Sequence, residues 1–138
     1  MVSFLRFFSG SMVAASLSLC LFLTACNNTS GNSPLTGVYI DDTITVSQTL
    51  LNTITLAQDD MARSQAETES RALINDYMAR YRPQSQVNGL SSFTTMQTAV
   101  NSLAGHYASY ANRPLPEELK ERLTKELKKA AASVVKGA

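Results

Sequence analysis

The chain has 138 residues, enough for one domain of ordinary size. Twelve basic residues face eleven acidic ones, and Arg6 alone makes the excess; a chain neutral beyond its first segment argues against a nucleic-acid binder or a strongly basic membrane-surface protein. Its two cysteines, Cys20 and Cys26, both lie in the first 26 residues, so the domain that follows has no internal disulfide and must be stable by packing alone.

Residues 1–25 read as a lipoprotein signal peptide. Arg6 is the only charge there, and apolar and small residues run from Gly10 to Leu23. Leu23-Thr24-Ala25-Cys26 has the form of a lipoprotein box: a branched aliphatic, two small residues that fit a peptidase cleft, then the cysteine that takes the lipid. Cys20 is rejected because bulky Leu19 precedes it. The plainer readings are a cleaved signal without lipid or a short membrane anchor, and the apolar run is short for a membrane span. Cys26 is therefore the expected lipidation site and new N-terminus. Two or more acyl chains hold a protein firmly to a membrane, whereas one binds reversibly.

Residues 26–40 are expected to form a lipidated flexible tether. The polar stretch from Asn27 to Pro34 behaves as coil, with a root-mean-square span of roughly 15 Å. The domain should therefore sit close to its membrane.

Residues 41–138 are expected to fold as an all-α, up-down-up-down four-helix bundle. The first segment is ambiguous by local pattern. Ile44, Val46, Leu50, Ile54 and Leu56 alternate with threonines and a serine, which favours a strand. The rest of the domain is helical in pattern, and a lone strand would leave its backbone groups unpaired. Ile44, Leu51 and Ile54 also fit a helical stripe, with Asp41 or Asp42 as its cap, so the segment is read as a helix held by packing.

The second helix runs from about Asp60 to Arg82, with Ala66, Leu73, Ile74, Tyr77, Met78 and Tyr81 on one face, Asp60 as cap and Pro83 as terminator. The third runs from about Ser92 to Tyr110. Phe93, Met96, Val100, Leu103, Tyr107 and Tyr110 follow a three-four spacing, which is a bundle seam, and Ser91 or Ser92 can cap it. The fourth is the clearest. Pro116 suits its start, Glu117 and Glu118 face the positive end of the helix dipole, and Lys128 and Lys129 lie toward the negative end. Leu119, Leu123, Leu127, Ala130 and Val134 form its apolar stripe, and Glu118 with Arg122 and Glu121 with Lys125 are i,i+4 pairs.

Catalytic chemistry is not legible. His106 is the only histidine, and one imidazole without cysteine does not make an ordinary zinc site. It reads as a boundary histidine whose ring hydrogen-bonds locally. Asp41-Asp42 and Asp59-Asp60 read as caps, and no inward Glu-x-x-His motif, phosphate loop, nucleophile elbow or dinucleotide fingerprint is present. The chain is not expected to be an enzyme, to carry a cofactor or metal, or to bind nucleic acid.

Residues 83–112 contain no Asp, Glu, Lys or Arg, and neither do residues 43–58. The third helix carries Thr94, Thr95, Gln97, Thr98, Asn101, Ser102 and Ser109, polar but uncharged. Desolvating such a surface costs far less than desolvating charges, and interface cores are depleted of charge for that reason. Either this is a docking face or the third helix is simply the most enclosed. The first and third helices are diagonal in such a bundle, so their uncharged faces need not merge. Asn112-Arg113-Pro114-Leu115-Pro116 is a second candidate contact, a proline-stiffened loop presenting one arginine, or else a plain interhelix connection.

The run from Leu90 to Tyr107, LSSFTTMQTAVNSLAGHY, resembles the photosystem II assembly and repair lipoproteins of cyanobacteria. The likeness continues through Asn112-Arg113-Pro114-Leu115-Pro116-Glu117-Glu118-Leu119-Lys120-Glu121-Arg122-Leu123. Thr36-Gly37-Val38-Tyr39 with Asp42-Thr43 is similar to that family's lead-in to its first helix, and the box at Cys26 matches. The resemblance implies a lumenal, lipid-tethered, monomeric bundle in the thylakoid. It implies binding to immature or damaged photosystem II at the large lumenal loop of the smaller chlorophyll-binding inner antenna subunit. There it would keep the site open while the manganese–calcium cluster is built and delay the other extrinsic subunits. The candidate partner contacts are Tyr39 and Asp42, Thr94, Thr98 and Asn101, and Asn112, Arg113 and Pro114. Residues 44–70, rich in threonine, serine and glutamine, and the loop at 83–89 depart from the family pattern. The alternative is a generic membrane-tethered adaptor with an unrelated envelope partner, which would share the box and the bundle but not the 90–123 motif. Equilibrium dialysis of the protein against manganese is expected to give no stoichiometric, micromolar binding; such binding would overturn the metal-free reading.

Overall fold

The computed structural model describes residues 33–110 and 113–137. The signal segment, Cys26, the first part of the tether and Asn112 lie outside them. The described residues form four long helices and one short one: α1 Tyr39–Thr55, α2 Arg63–Tyr81, α3 Ser85–Asn88, α4 Ser91–Ser109 and α5 Glu117–Val135. Among the described residues there is no strand. α1 packs between α2 and α5, and α4 packs closely on α5 and more lightly on α2, so α1 and α4 are diagonal as expected. The long helices run up, down, up and down. The starts of α1 and α4 and the ends of α2 and α5 therefore share one end, called here the lead-in end.

The pattern of residues 83–89 predicts a loop, and the structure has the short helix α3 there. Val87 is buried, and hydrogen bonds from Val87 and Asn88 N–H to the Gln84 carbonyl close the turn around it. One apolar residue between polar neighbours is too little period to announce a helix.

The core is a single cluster. Val46, Leu50 and Ile54 come from α1, Leu73, Ile74, Tyr77 and Tyr81 from α2, and Phe93, Met96, Ala99, Val100, Leu103 and Tyr107 from α4. Leu123, Leu127 and Ala130 of α5 join it, with Val134 also buried, so the expected stripe of that helix holds and only Leu119 is half-buried. The α4 seam also holds, except that Tyr110 lies just past the helix and is exposed.

α1 is a helix, but its buried face differs from the expected one. Ile44 and Leu51 are only half-buried, and the inward face alternates aliphatics with polar groups: Asp42, Thr43, Val46, Ser47, Leu50, Thr53 and Ile54. Hydroxyls of α2 make this tolerable. Thr43 Oγ1 donates to the Tyr39 carbonyl (2.7 Å) and lies 2.9 Å from Tyr77 Oη. Thr53 Oγ1 donates to the Thr49 carbonyl (3.0 Å) and lies 2.9 Å from Ser70 Oγ. Back-bonding to the preceding turn satisfies a helical threonine internally. The even-odd alternation that resembled a strand is therefore a helix with two polar rungs facing α2.

Asp42 is not a cap of its own helix. It sits one turn inside α1, fully buried, and its carboxylate gathers the lead-in segment. Oδ1 accepts from Thr36 N–H (2.6 Å) and Thr36 Oγ1 (2.9 Å), and Oδ2 accepts from Gly37 N–H (3.0 Å) and Tyr81 Oη (2.6 Å). Arg80 Nη1 lies 3.8 Å from Oδ2. Gly37 has φ of +92°, a left-handed conformation that favours glycine, and its Cα faces the end of the flexible Arg80 side chain. Burial by itself pushes the Asp42 carboxyl up, but the hydrogen bonds from Tyr81, Thr36 and Gly37 outweigh it and hold the group below the ordinary carboxylate range. Burial, then the neighbouring carboxylate, push the Tyr81 phenol far above its usual value. The last part of the expected tether is thus not free. The chain is clamped from Thr36, and α1 begins at Tyr39 rather than at 41.

The other expected caps also changed roles. α4 starts without a side-chain cap, and Ser92 Oγ instead lies 2.9 Å from Tyr39 Oη. Asp60 Oδ1 accepts from Ala62 N–H (2.8 Å), closing a turn ahead of α2, which begins at Arg63. On α5, Arg122 leans toward Glu126 (3.9 Å) rather than back to Glu118.

The Asp42→Asn variant is expected to lose about 2–4 kcal/mol of unfolding free energy at neutral pH, because it strips the charge from a buried, four-donor acceptor. The folded-state value lies below the unfolded one near 3.8. The wild-type advantage is therefore complete above that value and lost as pH falls through the folded one. Urea unfolding of both proteins across that range checks it. Among the described residues Tyr107 Oη is buried without a hydrogen-bond partner, so Tyr107→Phe is expected to be neutral or mildly stabilising, while Tyr81→Phe costs about 1–3 kcal/mol in the same assay.

Candidate functional site

Two surface features combine polarity with the absence of charge or with preorganisation. The first is α4. It buries eight residues, more than any other helix here, so the enclosed reading is correct for its inner face. Its outer face is nonetheless open: Ser91, Thr94, Thr98, Asn101, Gly105 and Ala108 are exposed at three-four spacing along the full length. The hydroxyls on and beside this stripe are turned back on the helix. Thr94 Oγ1 bonds the Ser91 carbonyl (3.1 Å), Thr98 Oγ1 the Thr94 carbonyl (2.9 Å) and Ser102 Oγ the Thr98 carbonyl (3.0 Å). Each such threonine has its donor satisfied before any partner arrives. Covering the stripe therefore forfeits little hydration.

An arginine borders the stripe on each side. From α2, Arg71 donates to the Tyr107 carbonyl (3.2 Å) and lies 5.0 Å from the Tyr107 ring centroid. From α5, Arg122 donates to Ser102 Oγ (3.0 Å). Both hold α4 while keeping a guanidinium at the edge of an uncharged strip. Burial, then the Glu67 carboxylate, push the Tyr107 phenol up to about 12 despite Arg63 and Arg71 nearby. Sequence reading found Thr94, Thr98 and Asn101. It missed Ser91, Gly105 and Ala108, which continue the same spacing, and both arginines, which only the packing brings alongside.

The second feature lies at the end of the bundle opposite the lead-in end. His106 is buried, and its Nε2 lies 3.3 Å from the Arg113 carbonyl oxygen. Arg63 Nη2 donates to that same carbonyl (3.2 Å). The local hydrogen bond expected of the histidine is therefore the pin of the 113–116 loop. The Arg113 guanidinium sits 5.7 Å from the Tyr110 ring centroid, exposed, with exposed Pro114 beside it. A cavity of about 210 Å³ opens next to the loop, lined by Leu56, Gln58, Arg63, Glu67, Pro114 and Leu115 among others.

The remaining candidates separate from these surfaces. Asp42 is fully buried and spends its oxygens inside the chain, so it is corrected from a partner contact to an internal anchor. Tyr39 is half-buried, edge-on to Tyr81 at 5.1 Å with its hydroxyl on Ser92. Asn112 and Cys26 lie outside the described residues. Among the described residues no three His, Cys, Asp or Glu side chains converge as a metal site would need, and no helix is long and apolar enough to cross a membrane.

Comparison with known proteins gives a consistent picture. The profile of the family described as Photosystem II Pbs27 matches residues 4–134. The chain is 46% identical over 136 residues to the photosystem II lipoprotein Psb27 of Synechocystis sp., covering 99% of each. It is 46% identical over 121 residues to the photosystem II assembly factor lipoprotein Psb27 of Thermosynechococcus vestitus, covering 88% of this chain and 89% of the relative. The solution structure of Psb27 from cyanobacterial photosystem II superposes with a TM-score of 0.73 at 50% identity, over 78% of this chain and 93% of that one.

An Arg71→Ala variant is expected to lose about 1 kcal/mol through its carbonyl bond and ring contact, with the helical circular dichroism retained. Thermal unfolding checks it.

Proposed function

The chain belongs to the photosystem II Pbs27 family, and on that premise we propose that it is an assembly and repair factor of photosystem II. It is tethered by lipid at Cys26 to the lumenal side of the thylakoid membrane. As a monomer it binds the core of immature or damaged photosystem II, at the large lumenal loop of the smaller chlorophyll-binding inner antenna subunit. By occupying that place it leaves room for the manganese–calcium cluster to be built and delays the other extrinsic subunits. It works by steric and conformational control rather than by catalysis.

One structural observation carries the docking part: the uncharged, hydroxyl-satisfied stripe of α4 between two arginines. Interface cores are poor in charge, and arginines at the rim orient the approach of a partner. The pinned loop at Arg113 and Pro114 is a second contact, its backbone held in advance by His106 and Arg63. Preorganisation of this kind lowers the ordering cost of binding. A generic envelope adaptor would share the bundle and the lipid. Near-complete alignment with photosystem II lipoproteins favours the first reading over it.

The test is affinity purification of a tagged full-length copy from solubilised thylakoids. Photosystem II core subunits, poor in manganese and in the other extrinsic proteins, are expected to come along. Recovery of the protein alone, or with unrelated envelope partners, would sink the proposal. The Thr98→Glu and Asn101→Glu variants are expected to fold with stability within about 0.5 kcal/mol of wild type. Each should lose photosystem II recovery about tenfold or more, the effect of a charge buried without a partner.

A further inference from the structure

The bundle is neutral overall but not along its length. Beyond the helix midpoints toward the lead-in end, Arg80, Arg82, Lys128, Lys129 and Lys136 outnumber Asp41, Asp42 and Asp76. Arg80 and Asp42 face each other, so the remaining excess of two positive charges is carried by exposed side chains. The rest of the domain holds the matching acidic excess, since eleven basic and eleven acidic residues follow Arg6. The same end exposes apolar side chains. Val38 is 52% exposed, Ile40 44% and Val135 66%, at the start of α1 and the end of α5, which are packed neighbours. Three of the five large hydrophobic residues exposed on the described surface are gathered at this one end.

The Asp42 clamp decides what this end faces. The carboxylate holds Thr36 and Gly37 against the lead-in end, so the segment before α1 joins the bundle at that end. Nine residues lie between Cys26 and Thr36, a reach of at most about 35 Å over the ten steps when fully extended and far less as coil. We propose that the lead-in end of the bundle itself rests on an anionic lipid surface. Val38, Ile40 and Val135 meet the headgroup boundary, and Arg82, Lys129 and Lys136 lie among anionic headgroups. The proposal rests on the lipid-tether reading and adds a fixed orientation to it. Apolar side chains within a basic rim are the composition that binds bilayer interfaces, and a polybasic patch supplies the second attachment that an acyl anchor uses. With the bundle standing on this end, the α4 stripe runs away from the membrane, and the Arg113 loop stands at the top.

The test uses full-length protein purified from membranes, whose mass reports lipid on Cys26. It is reconstituted into phosphatidylcholine vesicles with or without phosphatidylglycerol, carrying a fluorophore at Val135→Cys or at Met61→Cys. Met61, 98% exposed, lies beyond the opposite end of helices about 28 Å long. A headgroup-attached quencher is expected to remove most of the emission at position 135 and little at 61. The contrast should require phosphatidylglycerol and weaken toward 1 M salt, where the screening length falls to about 3 Å. It should be lost in Arg82→Glu/Lys136→Glu, with helical circular dichroism unchanged. Equal quenching at both positions, or a contrast indifferent to phosphatidylglycerol and to charge reversal, would overturn the proposal. If the mass shows no lipid, the tether reading fails, and sedimentation of the unlabelled chain with the same vesicles decides the end contact separately. Retention on phosphatidylglycerol vesicles that needs Arg82 and Lys136 supports it, and no retention overturns it.

Discussion

Everything at one end of this bundle depends on a single buried carboxylate. Asp42 accepts hydrogen bonds from the Thr36 backbone and hydroxyl, from the Gly37 backbone and from the Tyr81 hydroxyl, with Arg80 behind. A buried charge is tolerable only when its acceptor sites are filled. Filling them here draws three separate pieces of chain together: the lead-in segment, the first turn of α1 and the last turn of α2. Tyr81 in turn packs on Tyr39 and Tyr77, and Tyr77 on Phe93 of α4. The polar anchor and the aromatic cluster are thus one unit, and the chain's exit point is a consequence of it.

A different economy governs α4. Its inner face is the most extensively buried in the domain, while its outer face is polar and uncharged from end to end. The threonines there satisfy themselves against the preceding turn. A surface of this kind is soluble in the free protein yet inexpensive to cover. Flanking helices keep their charges, and two of their arginines are spent in holding α4 in place.

Much of this was legible in the residues. The α5 stripe, the α4 seam and the inward face of α2 from Leu73 to Tyr81 follow from three-four spacing. The uncharged run from 83 to 112 announced a neutral stretch, but left open whether it was a docking face or an enclosed helix, and grouped half-buried Thr95, Gln97 and Ser102 with exposed Thr94, Thr98 and Asn101. α1 was harder. Its alternation is that of a strand, and the aliphatics that matter, Val46 and Leu50, belong to a face that also buries Thr43, Ser47 and Thr53. A hydroxyl on a buried face reads as an error of pattern until its partner is known, and Tyr77 and Ser70 stand 34 and 17 residues away.

The sequence by itself determined the fold class, the placement of four helices, the neutral face of α4 and the family to which the chain belongs. These depend on local period and on contiguous motifs, which are properties of a linear string. Only the tertiary structure decided that Asp42 is an internal anchor, that His106 pins the 113–116 loop, and that opposite charge excesses collect at the two ends of a neutral bundle. Each of those facts is a meeting between residues from different elements of the chain, helix with helix or helix with loop. Helical period specifies the face a residue occupies, but not the neighbour that covers that face or the donor that completes its hydrogen bonds.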